Sequence, residues 1–256
     1  VYFERYWIWM PIRVRQILKK LTSRLPATFN ITRRVKKLFQ YADFSINERL
    51  LSYHFWSDPN ELVSLFRQKH RLSERPCQFI LEKMSLVDTS DPIELALFLE
   101  RNYFLKDHNF AYTDKLSMAT GVEVRVPFMD TDLVEAVSKV SSSVKQRGRI
   151  GKFILKKIAE LYLPNSIIHR PKTGFGAPLR KWIRVDMASY VDDMLSKENI
   201  TKRDIFDYRA IKKLIEDDRK GVQDNSYTIY ALICIELWFQ TFIDARDKFI
   251  TRSELT

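Results

Sequence analysis

Residues 122–128, VEVRVPF, alternate β-branched and charged side chains, the pattern of a half-buried strand. Pro127 has no N–H to give a ladder, so the stretch can only be a short or edge strand. Strands are otherwise hard to find. A chain of 256 residues with so little strand cannot build a large sheet of its own. It must fold mostly as helices. The scarcity of glycine, 6 residues in all, points the same way.

The helices are punctuated by Pro, Gly and Asx signals. Residues 3–24 read as a basic amphipathic helix interrupted at Pro11. In 45–55, Ser45 and Glu48 have capping-box spacing. Segments 58–68 and 91–105 each open with Asp-Pro, an N-cap followed by proline at the first helical position. A short helix over 113–121 is closed by Gly121, and 130–140 and 151–164 follow, the last stopped by Pro164. The last long helix spans 225–244. There Tyr227, Tyr230, Ala231, Cys234, Leu237, Trp238 and Phe242 make one stripe, read as core. The polar stretch 194–205 reads as a boundary.

Composition narrows the classes. The size suffices for a sizeable core. Two cysteines, Cys77 and Cys234, stand far apart without metal-ligand spacing, so a reduced, cytoplasmic setting is the default. Cys234 reads as a small core residue. The longest apolar runs are short and carry a glutamate, so no segment is expected to span a membrane. The net charge is +11, and residues 1–40 hold ten Lys/Arg against the single acid Glu4. That asymmetry suits an acidic partner, nucleic acid or an anionic membrane surface. It equally suits a solvated helix face beside something missing. The second reading weighs more, because Tyr6, Trp7, Ile8 and Trp9 are more apolar than a nucleic-acid arm.

Several chemistries lack their residues. His54, His70, His108 and His169 share no metal-binding spacing, so no metal site is expected. No nucleophile elbow, Walker loop or dinucleotide fingerprint occurs. Two regions remain. YTDKLSMATGVEVRVPFMD (112–130) gathers Asp114, Lys115, Glu123, Arg125 and Asp130. In a strand, Glu123 and Arg125 share a face, where they can pair or share a ligand. Asp114 is placed to cap the following short helix. The same spacing suits a buried salt-bridge corner. In HRPKTGFGAPLRKW (169–182), Pro171 stiffens one side while Gly174 and Gly176 let backbone approach a ligand closely. Lys172 lies between, a compact cation suited to phosphate. An ordinary basic surface loop has the same composition.

Together the two regions resemble the glutamine-using asparagine synthetases. DKLSMATGVEVRVPFMD is similar to the family's D-[KR]-x-[SM]-M-A-x-x-x-E-x-R-x-P-F-[LM]-D signature. GKFILKKIAELYLPNSIIHRPKTGFGAPLRKW resembles its helix, then L-P-x-x-I, then R-x-K-x-G-F-x-x-P-[LI]-x-x-W. IYALICIELWFQTF (229–242) is similar to its terminal helix. The match is strong over 95–185 and weak over 1–90.

The resemblance implies a two-activity protein. A glutaminase domain makes ammonia. A synthetase domain uses ATP and Mg2+ to activate the aspartate side chain as an acyl-adenylate, which ammonia converts to asparagine with release of AMP and pyrophosphate. It implies that Lys172 contacts the phosphates, that Glu123 is a functional glutamate, and that Asp114, Lys115, Arg125, Arg170 and Gly174 line the region. The family's S-G-G-x-D-S pyrophosphate loop is not in these residues. The chain is therefore expected to be the mainly α-helical, C-terminal part of an α/β, adenine-nucleotide α-hydrolase-like synthetase domain of the PP-loop ATPase class. Its sheet strands and ATP loop would lie upstream. Residues 1–90 are the variable basic helical region and 91–256 the core carrying both motifs. Alone, such a chain would turn over nothing. Its expected partners are the upstream half, a glutaminase domain and aspartate or another carboxylate. Neither a membrane nor nucleic acid is expected, and a homodimer is left open. The alternatives are the same fold with another acceptor (polysaccharide amidation, β-lactam or peptide cyclisation) or a non-catalytic basic helical scaffold.

Overall fold

The computed structural model describes residues 2–25, 29–70, 77–171 and 176–245. In chain order the helices are α1 (Tyr2–Tyr6), α2 (Ile12–Ser23), α3 (Asn30–Phe39), α4 (Ile46–Ser52), α5 (Pro59–Leu65), α6 (Gln78–Ser85), α7 (Pro92–Leu99) and α8 (Ala111–Met118). Then come α9 (Thr131–Ser138), α10 (Ser142–Lys145), the strands β1 (Gln146–Arg147) and β2 (Ile150–Gly151), α11 (Phe153–Ala159) and α12 (Asn165–Ile168). The series closes with α13 (Leu179–Lys181), α14 (Ala188–Met194), α15 (Lys197–Arg203), α16 (Tyr208–Arg219) and α17 (Ser226–Trp238). The described chain is mainly helical, as its composition requires.

The start signals act as read. Ser45 accepts from the Glu48 N–H, and the Glu48 carboxylate accepts from the Ser45 N–H, a complete capping box on α4. Asp58 accepts from the Asn60 N–H at 2.9 Å and Asp91 from the Ile93 N–H at 2.8 Å, each ahead of a proline at the first helical position.

The chain divides into two compact units. One comprises Glu82–Phe175 and the other Tyr2–Leu81 with Gly176–Thr256. In the second unit, Val191, Ile200, Ile211, Ile229 and Ile233 centre a continuous apolar core. A smaller core gathers Phe3, Met10, Phe39 and Ala42, with the Phe3 and Phe39 rings edge to face at 6.1 Å. Two buried ion pairs tie distant segments together. Arg49 donates to both Glu4 oxygens at 2.7 and 2.8 Å, and Arg203 to both Glu236 oxygens at 2.9 and 2.7 Å. The first unit is thinly packed. Leu95 and Leu99 are buried, whereas most of 111–171 is open to water.

Several expectations are corrected. VEVRVPF is not a strand: 122–126 is extended coil and Pro127–Met129 a single 3-10 turn. Alternation makes a strand only where a neighbouring edge accepts its hydrogen bonds, and among the described residues none pairs with it. The strands that do form, β1 and β2, are a two-residue antiparallel hairpin turning at Gly148, where φ is +59°. Helices 91–105 and 113–121 are one run, because a π-helical stretch, Glu100–Phe110, joins α7 to α8. No Pro or Gly lies between them, so nothing in 106–112 ends the helix. The 194–205 stretch is largely α15, capped by Ser196.

The α17 stripe is also corrected. Tyr230, Leu237, Trp238 and Phe242 are exposed, and so is Cys234. The buried face carries Ile229, Leu232, Ile233 and Glu236. The helix is apolar on nearly every side, so spacing alone could not choose between faces. With its π-helical extension Phe239–Asp244 it is 19 residues long, enough by length and composition to cross a membrane. One face contributes Ile229, Leu232 and Ile233 to the core and carries the buried Glu236–Arg203 pair, while the other face is open.

Candidate active site

The site region begins where α8 stops. Gly121 takes φ +70°, and its N–H donates to the Met118 carbonyl at 3.0 Å. The Val122 N–H reaches back to the Ser117 carbonyl at 3.0 Å. These bonds close the last carbonyls of the helix, and the left-handed residue they need favours glycine. The chain then leaves extended, carrying Glu123 and Arg125 away from the helix. Asp130 ends the segment by accepting from the Leu133 N–H at 3.1 Å, which caps α9.

Glu123 and Arg125 do meet. The Arg125 Nε donates to Glu123 Oε1 at 3.0 Å. The two side chains are 69% and 84% exposed, so the pair adds at most about 1 kcal/mol to stability. A buried salt-bridge corner is therefore not what this pair makes. It presents a carboxylate and a guanidinium side by side to solvent, where a polar ligand can displace or bridge them.

Asp114 lies inside α8, not at its start. It caps nothing, because the upstream π-helical run leaves α8 no exposed N-terminus. Asp114, Lys115 and Arg170 are exposed, and no described hydrogen bond or ion pair joins their side chains to the Glu123–Arg125 pair. Lys115 and Arg170 carry no ion pair among the described residues, which leaves both available to an anion. Lys172 and Gly174 lie outside the described residues.

The segment after the glycine loop is held by a cluster that sequence reading missed. Asp218, fully buried, accepts from Arg184 at 2.8 and 3.1 Å, from the Asn225 N–H at 2.6 Å and from the Ser226 hydroxyl. Those bonds push the Arg184 guanidinium pKa above its usual value. Asp224 accepts from Arg180 at 2.7 Å and from Arg33 at 3.4 Å. Thus α13 and the run after it are fixed by arginine–carboxylate pairs on Arg180 and Arg184. In the sequence, Asp218 sits within EDDRKG and looks like any acid on a solvated helix. Only the tertiary packing singles it out.

A solvent-facing carboxylate–guanidinium pair just after a glycine-capped helix is the arrangement that the described residues provide. Comparisons with known proteins give its family. The asparagine synthase family model matches residues 3–240, and the chain belongs to that family. It is 30% identical to glutamine-hydrolyzing asparagine synthetase 1 of Bacillus subtilis over 133 residues, 52% of this chain and 21% of that protein. Asparagine synthetase 3 of the same organism is 25% identical over 144 residues, 53% of this chain and 24% of that protein. Amidase chyE of Penicillium rubens is 25% identical over 132 residues, 49% of this chain and 20% of that protein. The chain thus spans about a fifth to a quarter of these relatives. No solved structure matches.

Proposed function

We propose that this chain is the C-terminal part of a synthetase domain that activates a carboxylate with ATP and passes the acyl-adenylate to ammonia, with aspartate as substrate and asparagine as product. The observation that carries the reading is the family match across 3–240, which includes both motif regions. The names of the Bacillus subtilis relatives support aspartate and glutamine as the substrates.

Each residue then has a chemical task. Lys172 neutralises charge building on the α-phosphate and the departing pyrophosphate, a preorganised electrostatic role. Lys115 and Arg170, unpaired with acids among the described residues, suit a polyanionic nucleotide. Glu123 orients the reacting groups, and Arg125 holds its carboxylate in place. ATP supplies the adenylyl group and Mg2+ would offset its phosphate charge. Among the described residues no group of three or more His, Cys, Asp or Glu could hold a metal. The α/β sheet, the pyrophosphate loop and the glutaminase domain belong to segments outside these residues. The open apolar side chains of the first unit, Leu161 at 79% and Tyr162 at 78% exposure among them, support a packing partner of that kind. Two unpaired cysteines support a reducing, cytoplasmic compartment.

The test is pyrophosphate release across a panel of carboxylates, using a protein that joins this chain to its pyrophosphate-loop segment. Release with aspartate alone is expected. Release with a sugar acid, a peptide or a β-amino acid would move the acceptor, a second reading that the similarity to amidase chyE favours. No release with any carboxylate would overturn the reading.

A further inference from the structure

The N-terminal basic helix has a use that the synthetase reading does not absorb. One side of α2 is packed: Leu18 lies against the core of Phe3 and Phe39, and Thr22 is buried. Lys19 on that side pairs with Asp43 at 2.7 Å, and Arg15 donates to the Met10 and Ala42 carbonyls at 3.0 Å. The opposite side is open. Val14, Ile17 and Leu21 stand there at i, i+3 and i+7, one stripe of the helix, with Ile17 and Leu21 both 58% exposed. Arg13, Lys20 and Arg24 flank the stripe along one edge, all exposed, and none is paired with an acid among the described residues. Trp9, 75% exposed, stands just before the helix, its indole N–H donating to the Tyr6 carbonyl at 2.8 Å.

We propose that this face of α2 lies on an anionic lipid bilayer, seated in the headgroup layer rather than crossing it. The chemistry selects the occupant. An exposed aliphatic stripe gains by leaving water, three unpaired cations gain beside negative headgroups, and an amphipathic indole prefers the boundary between them. A bilayer with anionic headgroups supplies all three at once. Nucleic acid would satisfy the cations and leave the stripe in water. The charge of residues 1–40, ten cations against one acid, adds long-range attraction of the same sign. It departs from the expectation that no membrane is involved and from the reading of residues 1–40 as a face beside a missing segment. It is independent of the synthetase reading, since it uses none of that site's residues.

The experiment is co-sedimentation of the 256-residue chain with vesicles of phosphatidylcholine alone or mixed equally with phosphatidylglycerol. Binding to the anionic vesicles is expected to exceed binding to the neutral ones by roughly tenfold or more at about 50 mM salt, and to weaken as salt is raised. Leu21→Glu and the triple change of Arg13, Lys20 and Arg24 to Ala should each abolish that excess. These positions are exposed, and far-ultraviolet circular dichroism confirms that the variants fold. Leu161→Glu, on the open face of the other unit, should leave binding unchanged. Equal binding to both vesicles, retention by Leu21→Glu, or loss with Leu161→Glu would overturn the proposal. So would binding to duplex RNA or to an acidic protein with none to vesicles.

Discussion

Glu236 shows how a residue inside an apolar run can be structural rather than catalytic. It is 2% exposed and held by two hydrogen bonds from Arg203, which also bonds Asp244. Removing Arg203 strands the buried Glu236 carboxylate, so Arg203→Ala should cost about 3–5 kcal/mol, read from urea unfolding midpoints. Gly121 acts through the backbone. No neighbour blocks a Cβ there, yet φ +70° strains any L side chain, so Gly121→Ala should destabilise by about 1 kcal/mol. Asp244 sets a pH dependence. Hydrogen bonds from Arg203, then Lys202, hold its carboxyl well below the usual carboxylate range. A depressed folded value stabilises above the unfolded pKa of about 4 and loses that contribution as pH falls through the folded value. Between pH 6 and pH 2, Asp244→Asn should therefore show a shallower loss of stability than the parent. Capping residues such as Ser45, Asp58 and Asp91 were legible because their partners lie within three positions in sequence. The Arg203–Glu236 and Arg184–Asp218 pairs were not, since their partners lie 33 and 34 positions apart.

At the scale of elements, α17 separates what periodicity can and cannot decide. Its helical character was plain. Its buried face was not, because two apolar faces compete and only the neighbouring helices choose between them. The choice is measurable. Ile233→Ala, at 4% exposure, should cost about 2–5 kcal/mol, whereas Leu237→Ala, at 41% exposure, should cost far less. Equal costs would mean that both faces are covered. The stretch 122–126 fails as a strand for a related reason. Its valines alternate correctly, but an extended segment becomes a strand only when another edge accepts its hydrogen bonds. The π-helical joint at 100–110 leaves no signature in spacing, so the sequence divides one long helical run into two.

The whole molecule ties these observations to activity. Belonging to the asparagine synthase family rests on motifs spread along the chain, and that much was legible from residues 95–185. What spacing could not reveal is how openly the first unit displays Leu116, Phe128, Leu161 and Tyr162. Patches of that kind mark surfaces that pack on something else. In the proposed function, that packing partner carries the phosphate cradle and Lys172 completes it. The most direct measurement is aspartate-dependent exchange of pyrophosphate into ATP, made with a protein that joins this chain to its pyrophosphate-loop segment and glutaminase domain, and with its Lys172→Ala variant. A loss on the order of 10²–10³ in the variant, with glutamine hydrolysis intact, is expected if Lys172 stabilises the departing pyrophosphate. Exchange at the parent's rate in Lys172→Ala would contradict it.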